Sequence, residues 1–195
     1  MNALRLVPLM ILLFAGGALA ADEPAANLLP GGDFEKHSPL ERSPGDWYPT
    51  VVPRTEAYVD FSWDDKVAHG GKRSVSIAVD KDHPEDVIAY NWTSTVAGCE
   101  AGRRYELSGW VRAENLASPA WIVVQCWNDK RDTMLGFATT QKDYPVAGTT
   151  DWTEVGTTFV VPEGTAEVRV RAGAMAPANR GGRAWFDDLA IRALD

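Results

Sequence analysis

The sequence is divided into short runs rich in β-branched and aromatic residues, separated by clusters of Gly, Pro, Asn and Asp. Strand-like runs at this spacing are typical of a β-sandwich or a β-barrel. No stretch shows a sustained apolar period of about 3.6 residues, which argues against long helices. We therefore predict an all-β fold, an antiparallel β-sandwich. The predicted strands are Arg73–Asp80, Val87–Val96, Tyr105–Ala113, Trp121–Trp127, Met134–Thr140, Thr153–Val161, Glu167–Ala172 and Ala184–Arg192.

Alternation along these runs separates an aliphatic side from a mixed side. Ile122, Val124 and Cys126 share one side of their run, whereas Gln125 and Trp127 share the other. Other runs divide in the same way. The aliphatic sides predict the sandwich core, and the mixed sides predict an outer surface on which a ligand can bind.

The charge balance excludes two classes of partner. The 27 Asp and Glu residues outnumber the 19 Lys and Arg residues, which gives a net charge of −8. Affinity for nucleic acid depends on clustered Lys and Arg, and anionic membrane surfaces attract basic segments. We therefore expect no nucleic-acid partner and, once the N-terminal segment is removed, no membrane partner.

The first 20 residues have the three regions of a secretory signal peptide. A short segment carrying the positive charge of Arg5 precedes the apolar run Leu6–Ala15, and the small-residue site Ala18-Leu19-Ala20 follows. We predict that residues 1–20 are the signal and that residues 21–195 form a single domain, secreted or periplasmic. In that oxidising environment Cys99 and Cys126 either form a disulfide or remain two unpaired thiols.

Several segments, in order along the chain, resemble carbohydrate-binding modules of the family 4/9 type. They are Asn27–Glu35 with Gly45–Tyr48, His69–Ser74, Tyr105–Arg112, and Thr150–Thr153 through Phe159–Pro162 to Trp185–Leu189. The resemblance implies a jelly-roll sandwich of the galactose-binding-like type. It also implies non-catalytic binding of a polysaccharide or oligosaccharide, and a partner that is a glycan, with an enzyme or surface protein as a further partner.

Two other functions remain open beside glycan binding. One is a structural or protein-interaction sandwich that has lost sugar binding. The other is a small glycan lyase or hydrolase, but the chain has no Gly-x-Ser-x-Gly motif and its three His residues lack metal-ligand spacing. We therefore expect no enzymatic activity.

The candidate ligand-binding residues combine flat aromatic rings with hydrogen-bonding side chains. A Trp or Tyr ring suits the apolar face of a sugar, and polar side chains suit its hydroxyl rim. We predict that six of these residues converge on one concave sheet: Trp110, Arg112, Gln125, Trp127, Arg169 and Arg171. Aromatic residues predicted on loops, among them Trp92 and Tyr48, would add walls to this site. The arginines either recognise acidic sugars or pair with Glu106 and Glu167.

The family resemblance further implies a structural calcium ion near the chain ends. Glu35 and Asp187 would supply carboxylates, and Lys72 would supply a backbone carbonyl from the Gly71-Lys72 turn. Calcium takes six to eight oxygen ligands, including backbone carbonyls. The alternative is that these carboxylates are solvated surface groups.

Overall fold

The computed structural model describes residues 25–38, 43–50 and 52–194, so the predicted signal peptide lies outside the described residues. In these ranges the chain forms nine strands and two short 3-10 helices. The strands are β1 (Tyr48–Pro49), β2 (Val59–Asp64), β3 (Ser74–Val79), β4 (Ile88–Val96), β5 (Arg104–Trp127), β6 (Met134–Thr139), β7 (Val146–Val160), β8 (Glu167–Ala176) and β9 (Arg183–Ala193). The 3-10 helices are Glu56–Tyr58 and Thr140–Lys142. None of the described helices is long and apolar enough to cross a bilayer.

The strands form two antiparallel sheets, which confirms the predicted β-sandwich. The front sheet has the order β1-β4-β8-β5-β6. The back sheet has the order β2-β3-β9-β5-β7. Strand β5 belongs to both, because its residues up to Ala120 pair in the back sheet and those from Trp121 onwards pair with β8 and β6.

The sequence prediction divided β5 into two strands, and this was wrong. The polar and Pro-containing segment between Ala113 and Trp121 resembles a turn. In the structure the strand continues through it with several register shifts, and Asn115 adopts a positive φ of 54°. These irregularities let the strand leave one sheet and enter the other. The prediction also missed β1 and β2.

The core lies between the two sheets and consists of the aliphatic sides of the strands. Leu107, Ile122 and Val170 are fully buried, as alternation predicted. The two ends of the described chain meet beside this core, where the Leu28 amide donates a hydrogen bond of 2.8 Å to the Ile191 carbonyl.

Both cysteines are free thiols in the structure. Cys126 is buried in the core, and Cys99 is half-buried beside it. Burial, with a smaller contribution from Cys126, raises the pKa of the Cys99 thiol to about 11. Neither thiol is therefore an activated nucleophile.

Candidate functional site

The outward-facing side of the front sheet carries a mixture of aromatic and polar side chains. We call this surface the front face. Strand alternation and register place on it Tyr48, Thr93, Thr95, Trp121, Val123, Gln125, Trp127, Phe137, Thr139, Glu167, Arg169, Arg171 and Gly173. Five strands about 4.8 Å apart give this surface a width of roughly 19 Å from β1 to β6.

Three aromatic rings lie on the front face with accessible surface. Phe137 on β6 is 55% exposed, and Tyr48 on β1 is 54% exposed. Trp127 is half-buried between them, and its indole Nε1 donates to Gln125 Oε1 at 3.3 Å. Phe137 is the direct cross-strand neighbour of Gln125. The face thus offers flat apolar surfaces beside hydrogen-bonding groups.

Glu167 organises the charges at one end of the front face. This carboxylate is 8% exposed and pairs with the guanidinium of Arg169 on the same strand. It also accepts from Arg131 Nε at 2.6 Å. The alternative that Arg169 pairs with Glu167 is therefore confirmed. Arg169 also lies 5.9 Å from the centroid of the Trp127 ring, within the range of a cation–π contact.

Arg171 differs from its neighbour because no described residue pairs with it. Its side chain is half-buried, and its Nε is inaccessible to solvent without a hydrogen-bond partner. Burial and then the positive charge of Arg169 lower the pKa of the Arg171 guanidinium. Thr93 and Val123, its neighbours across the strands, bring no charge.

A glycine shapes the front face at its other end. A Cβ atom at Gly173 would clash with the Tyr90 carbonyl and with the ring of Trp121. The absence of a side chain lets the ring of Trp121, which is 8% exposed, pack against β8 at Gly173. Trp121 is therefore packed within the front face and has little accessible surface for a ligand.

Two predicted site residues lie on the opposite side of the molecule, which corrects the prediction of one shared sheet. Trp110 and Arg112 point outward from the back sheet, because they belong to the first half of β5. The His69 ring stacks on Trp110 with centroids 3.8 Å apart. Arg112 lies 5.5 Å from the Trp185 ring and 4.0 Å from an Asp151 oxygen.

Trp92 lies in the core, so its assignment to an outer binding face was wrong. It is 3% exposed, and its ring packs edge-on against Phe61 with centroids 5.6 Å apart. Its Nε1 donates to the Ser76 carbonyl at 3.1 Å across the interior. The neighbouring Asn91, part of an Asn-Trp-Thr glycosylation pattern, is 1% exposed and not available for modification.

Sequence reasoning missed two residues of the front face and placed a third, Tyr48, only on a loop beside the site. Phe137 is an exposed aromatic, and Glu167 was considered only as a partner for an arginine. Phe137 lies within a predicted strand, but Leu135, two positions earlier on the same side, is also apolar. Alternation alone therefore did not show that this side is the exposed one. Tyr48 lies on a strand of two residues, too short to give any periodicity.

The predicted calcium ligands surround one turn, at residues 69–73. Glu35 Oε1 accepts from the amides of Lys72 at 2.7 Å and Arg73 at 2.9 Å. Gly71 has a φ of +58°, and a Cβ atom there would clash with the Glu35 carboxylate. The turn is thus closely fitted around this carboxylate.

On the other side of the turn, Asp187 is fully buried. Its carboxylate accepts from the amides of His69 at 2.7 Å, Gly70 at 3.1 Å and Asp188 at 2.8 Å. Burial raises the pKa of Asp187 to about 7 despite these hydrogen bonds. No described cationic side chain pairs with it, and the described residues contain no group of three His, Cys, Asp or Glu side chains placed to hold a metal.

Comparison with known proteins gave a family and a set of similar folds. A family model described as a carbohydrate binding domain matches residues 26–175. A search of curated proteins gave no match.

Several solved structures are similar at low sequence identity. The CBM22-1 xylan-binding domain of Paenibacillus barcinonensis Xyn10C superposes with a TM-score of 0.55 at 14% identity, over 90% of this chain and 99% of that one. TmCBM61, solved with β-1,4-galactotriose, gives 0.51 at 16% identity, over 87% of this chain and 100% of that one. The enzymatically active domain of tailspike protein 4 from bacteriophage CBA120 gives 0.62 at 16% identity, over 86% of this chain. This chain spans only 21% of that tailspike structure, and at these identities the likeness establishes the fold.

Proposed function

The chain belongs to the family of carbohydrate-binding domains, and we propose that the front face is the surface on which it binds its glycan. As a member of this family it is a non-catalytic binding module. The observation that carries the proposal is the placement of Trp127, Phe137 and Tyr48 on one outer sheet surface, with Gln125 and Arg169 between them. Aromatic rings cover the C–H face of a sugar, while polar groups bond its hydroxyls.

The back sheet is the less suitable surface because its aromatic rings are already covered. His69 stacks on Trp110. Trp185 is 5% exposed and lies between two guanidinium groups, Arg112 at 5.5 Å and Arg183 at 5.6 Å. A sugar would have to displace these contacts before it could stack there, whereas Phe137 and Tyr48 on the front face are more than half exposed.

The size of the front face favours a chain of sugars over a single ring. Its exposed aromatics lie on the two edge strands, β1 and β6, which are separated by four strand spacings or roughly 19 Å. One sugar ring cannot contact both edges. We therefore expect binding of an oligosaccharide or polysaccharide across the strands.

The test compares two tryptophans of one strand that face opposite ways. Trp127→Ala removes the front-face ring, and Trp110→Ala removes a half-buried ring from the back face. A large aromatic in a binding site contributes about 2 kcal/mol or more, so we expect roughly 30-fold weaker glycan binding for Trp127→Ala. Titration calorimetry against a glycan panel measures this, with folding of each variant checked by thermal melting. Equal losses in both variants, or a loss in Trp110→Ala alone, would contradict the placement of the site.

We further propose that a structural calcium ion lies beside the 69–73 turn. The support is the fully buried Asp187 carboxylate, which lacks a described cationic partner, and Glu35 on the other side of the same turn. Glu35, Asp187 and the Lys72 carbonyl would hold the ion. Its chemistry there would be charge compensation for the buried carboxylate of Asp187 and the exposed carboxylate of Glu35, with no part in catalysis.

We also propose that the domain acts after export, in the periplasm or outside the cell. The support is the signal-peptide pattern of residues 1–20. Mass spectrometry of the protein recovered from the periplasm or medium tests this, and a mature N-terminus at Ala21 is the expected result. An enzyme or surface-protein partner remains a prediction.

A further inference from the structure

The front face is positively charged in a protein whose net charge is −8. Arg169 and Arg171 are two residues apart on β8, so both point outward with backbones about 7 Å apart. Arg131 adds a third guanidinium at the end of the face, and Glu167 is the carboxylate that pairs with two of the three. Three cations against one anion leave an excess of positive charge beside Trp127.

Arg171 is the cation that stays without an acceptor. A guanidinium has five N–H donors. No described residue accepts a hydrogen bond from Arg171, and its buried Nε adds to the unpaired Nε of Arg169. A buried donor without an acceptor destabilises the folded protein, and a ligand that supplies an acceptor removes that cost. Burial and the charge of Arg169 also lower the pKa of Arg171, as expected for like charges held together.

Two arginines of the back sheet, Arg112 and Arg183, provide a contrast. Arg183 lies 3.3 Å from Asp60, and Arg112 lies 4.0 Å from Asp151, so both have acidic partners within the protein. Both also lie against the Trp185 ring. These two back-sheet arginines are thus paired within the protein. Arg171 is half-buried, unpaired and part of the face proposed to bind sugar.

We propose that the glycan bound at the front face is anionic, and that its carboxylate or sulfate group is recognised by Arg171 with Arg169 alongside. The proposal rests on the front face being the sugar site. An arginine can bind a carboxylate or sulfate through two parallel N–H···O hydrogen bonds, a geometry that a neutral hydroxyl cannot offer. Trp127 and Phe137 would then contact the apolar side of the same sugar chain.

The experiment uses pairs of polysaccharides that differ only in charge. Polygalacturonate is compared with its methyl ester, and a sulfated galactan with the same galactan after desulfation. We expect the mature domain to bind the charged member of at least one pair tenfold or more tightly than the neutral one, and to lose this preference as salt rises. The pair that shows the effect identifies the anionic group as a carboxylate or a sulfate.

Variants assign the preference to the residue. Arg171→Gln should weaken binding to the charged polymer about tenfold, the effect of one charge-assisted pair, and weaken binding to the neutral polymer by a smaller factor. Arg171→Lys keeps the charge without the planar guanidinium, so its affinity for the charged polymer should fall between those of the wild type and Arg171→Gln. Arg112→Gln on the back sheet is the matched control and should bind as the wild type does.

The outcomes separate this inference from the proposed function. Equal binding of charged and neutral polymers, or an Arg171→Gln variant that binds as the wild type does, would overturn the anionic ligand and leave sugar binding at the front face intact. Failure of the folded wild type to bind both these polymer pairs and every glycan of the panel used for Trp127→Ala would count against the anionic ligand and against the proposed function.

Discussion

Substitution of Asp187 by Asn tests whether the buried carboxylate organises the 69–73 turn. Asp187 accepts three backbone N–H groups through both of its oxygens. Asn keeps one acceptor oxygen and places an NH₂ group at the other position. In its better orientation the amide oxygen retains the bonds from His69 and Gly70, and the Asp188 amide then faces a donor.

The expected loss follows from that count. One buried N–H without an acceptor costs about 1–3 kcal/mol, and the two retained bonds become weaker once the acceptor is neutral. Removal of the buried negative charge offsets part of this destabilisation, so we expect the free energy of unfolding to fall by about 2 kcal/mol. For a domain of this size that lowers Tm by about 4–8 °C.

The assay is thermal unfolding followed by circular dichroism at pH 8 in a chelator. This pH lies above the raised pKa of Asp187, so the wild-type carboxylate is ionised. The control is Asp188→Asn, because Asp188 is a partly exposed neighbour whose contact with His69 Nδ1 is worth at most about 1 kcal/mol. An Asp187→Asn variant as stable as Asp188→Asn would refute the reasoning from hydrogen bonds.

The same two variants test calcium. Added calcium should raise the Tm of the wild type and of Asp188→Asn, and leave Asp187→Asn unchanged, because the proposed ligand is missing. A wild type that melts at one temperature in calcium and in chelator would contradict the calcium proposal. The prediction for the cation-free protein would be unaffected.

Two further predictions concern the interior. Trp92→Ala should lower the free energy of unfolding by about 3–5 kcal/mol in urea titrations, since it removes a core indole and leaves the Ser76 carbonyl without its donor; glycan affinity of the folded variant should not change. A binding loss without a stability loss would show that Trp92 contacts the ligand. Cys99 and Cys126 should react slowly with a thiol reagent at pH 8 in the folded, reduced protein and quickly after denaturation, because burial raises the pKa of both thiols. Equally fast labelling in both states would show that the thiols are accessible.

Alternation along single strands was enough to predict the core. The buried positions of β5 and β8, such as Leu107, Ile122 and Val170, follow a two-residue period that any sequence analysis can detect. The same pattern also contained the correct position of Trp92, which shares its parity with the buried Tyr90 and Val96. The prediction nevertheless placed Trp92 among the loop aromatics that line the ligand site.

Strand alternation in the sequence could not predict that the candidate binding residues are divided between two faces. Trp110 and Trp127 both alternate against aliphatic neighbours on one strand, and both point away from the core. Their final positions depend on where β5 leaves one sheet and joins the other. The position at which β5 changes sheets is set by pairing with strands that are distant in the sequence, and hydrophobic periodicity within one strand carries no information on that pairing.

Strand β5 has a consequence for how the domain unfolds. Because one continuous backbone is hydrogen-bonded into both layers, neither layer can detach without breaking pairs in the other. The two layers therefore form a single cooperative unit, and amide exchange in the regularly paired parts of β5, on both sides of its irregular middle, should proceed through global opening. Its partners all come from the last third of the chain, and its pairing with β9 closes a long loop, which favours slow refolding.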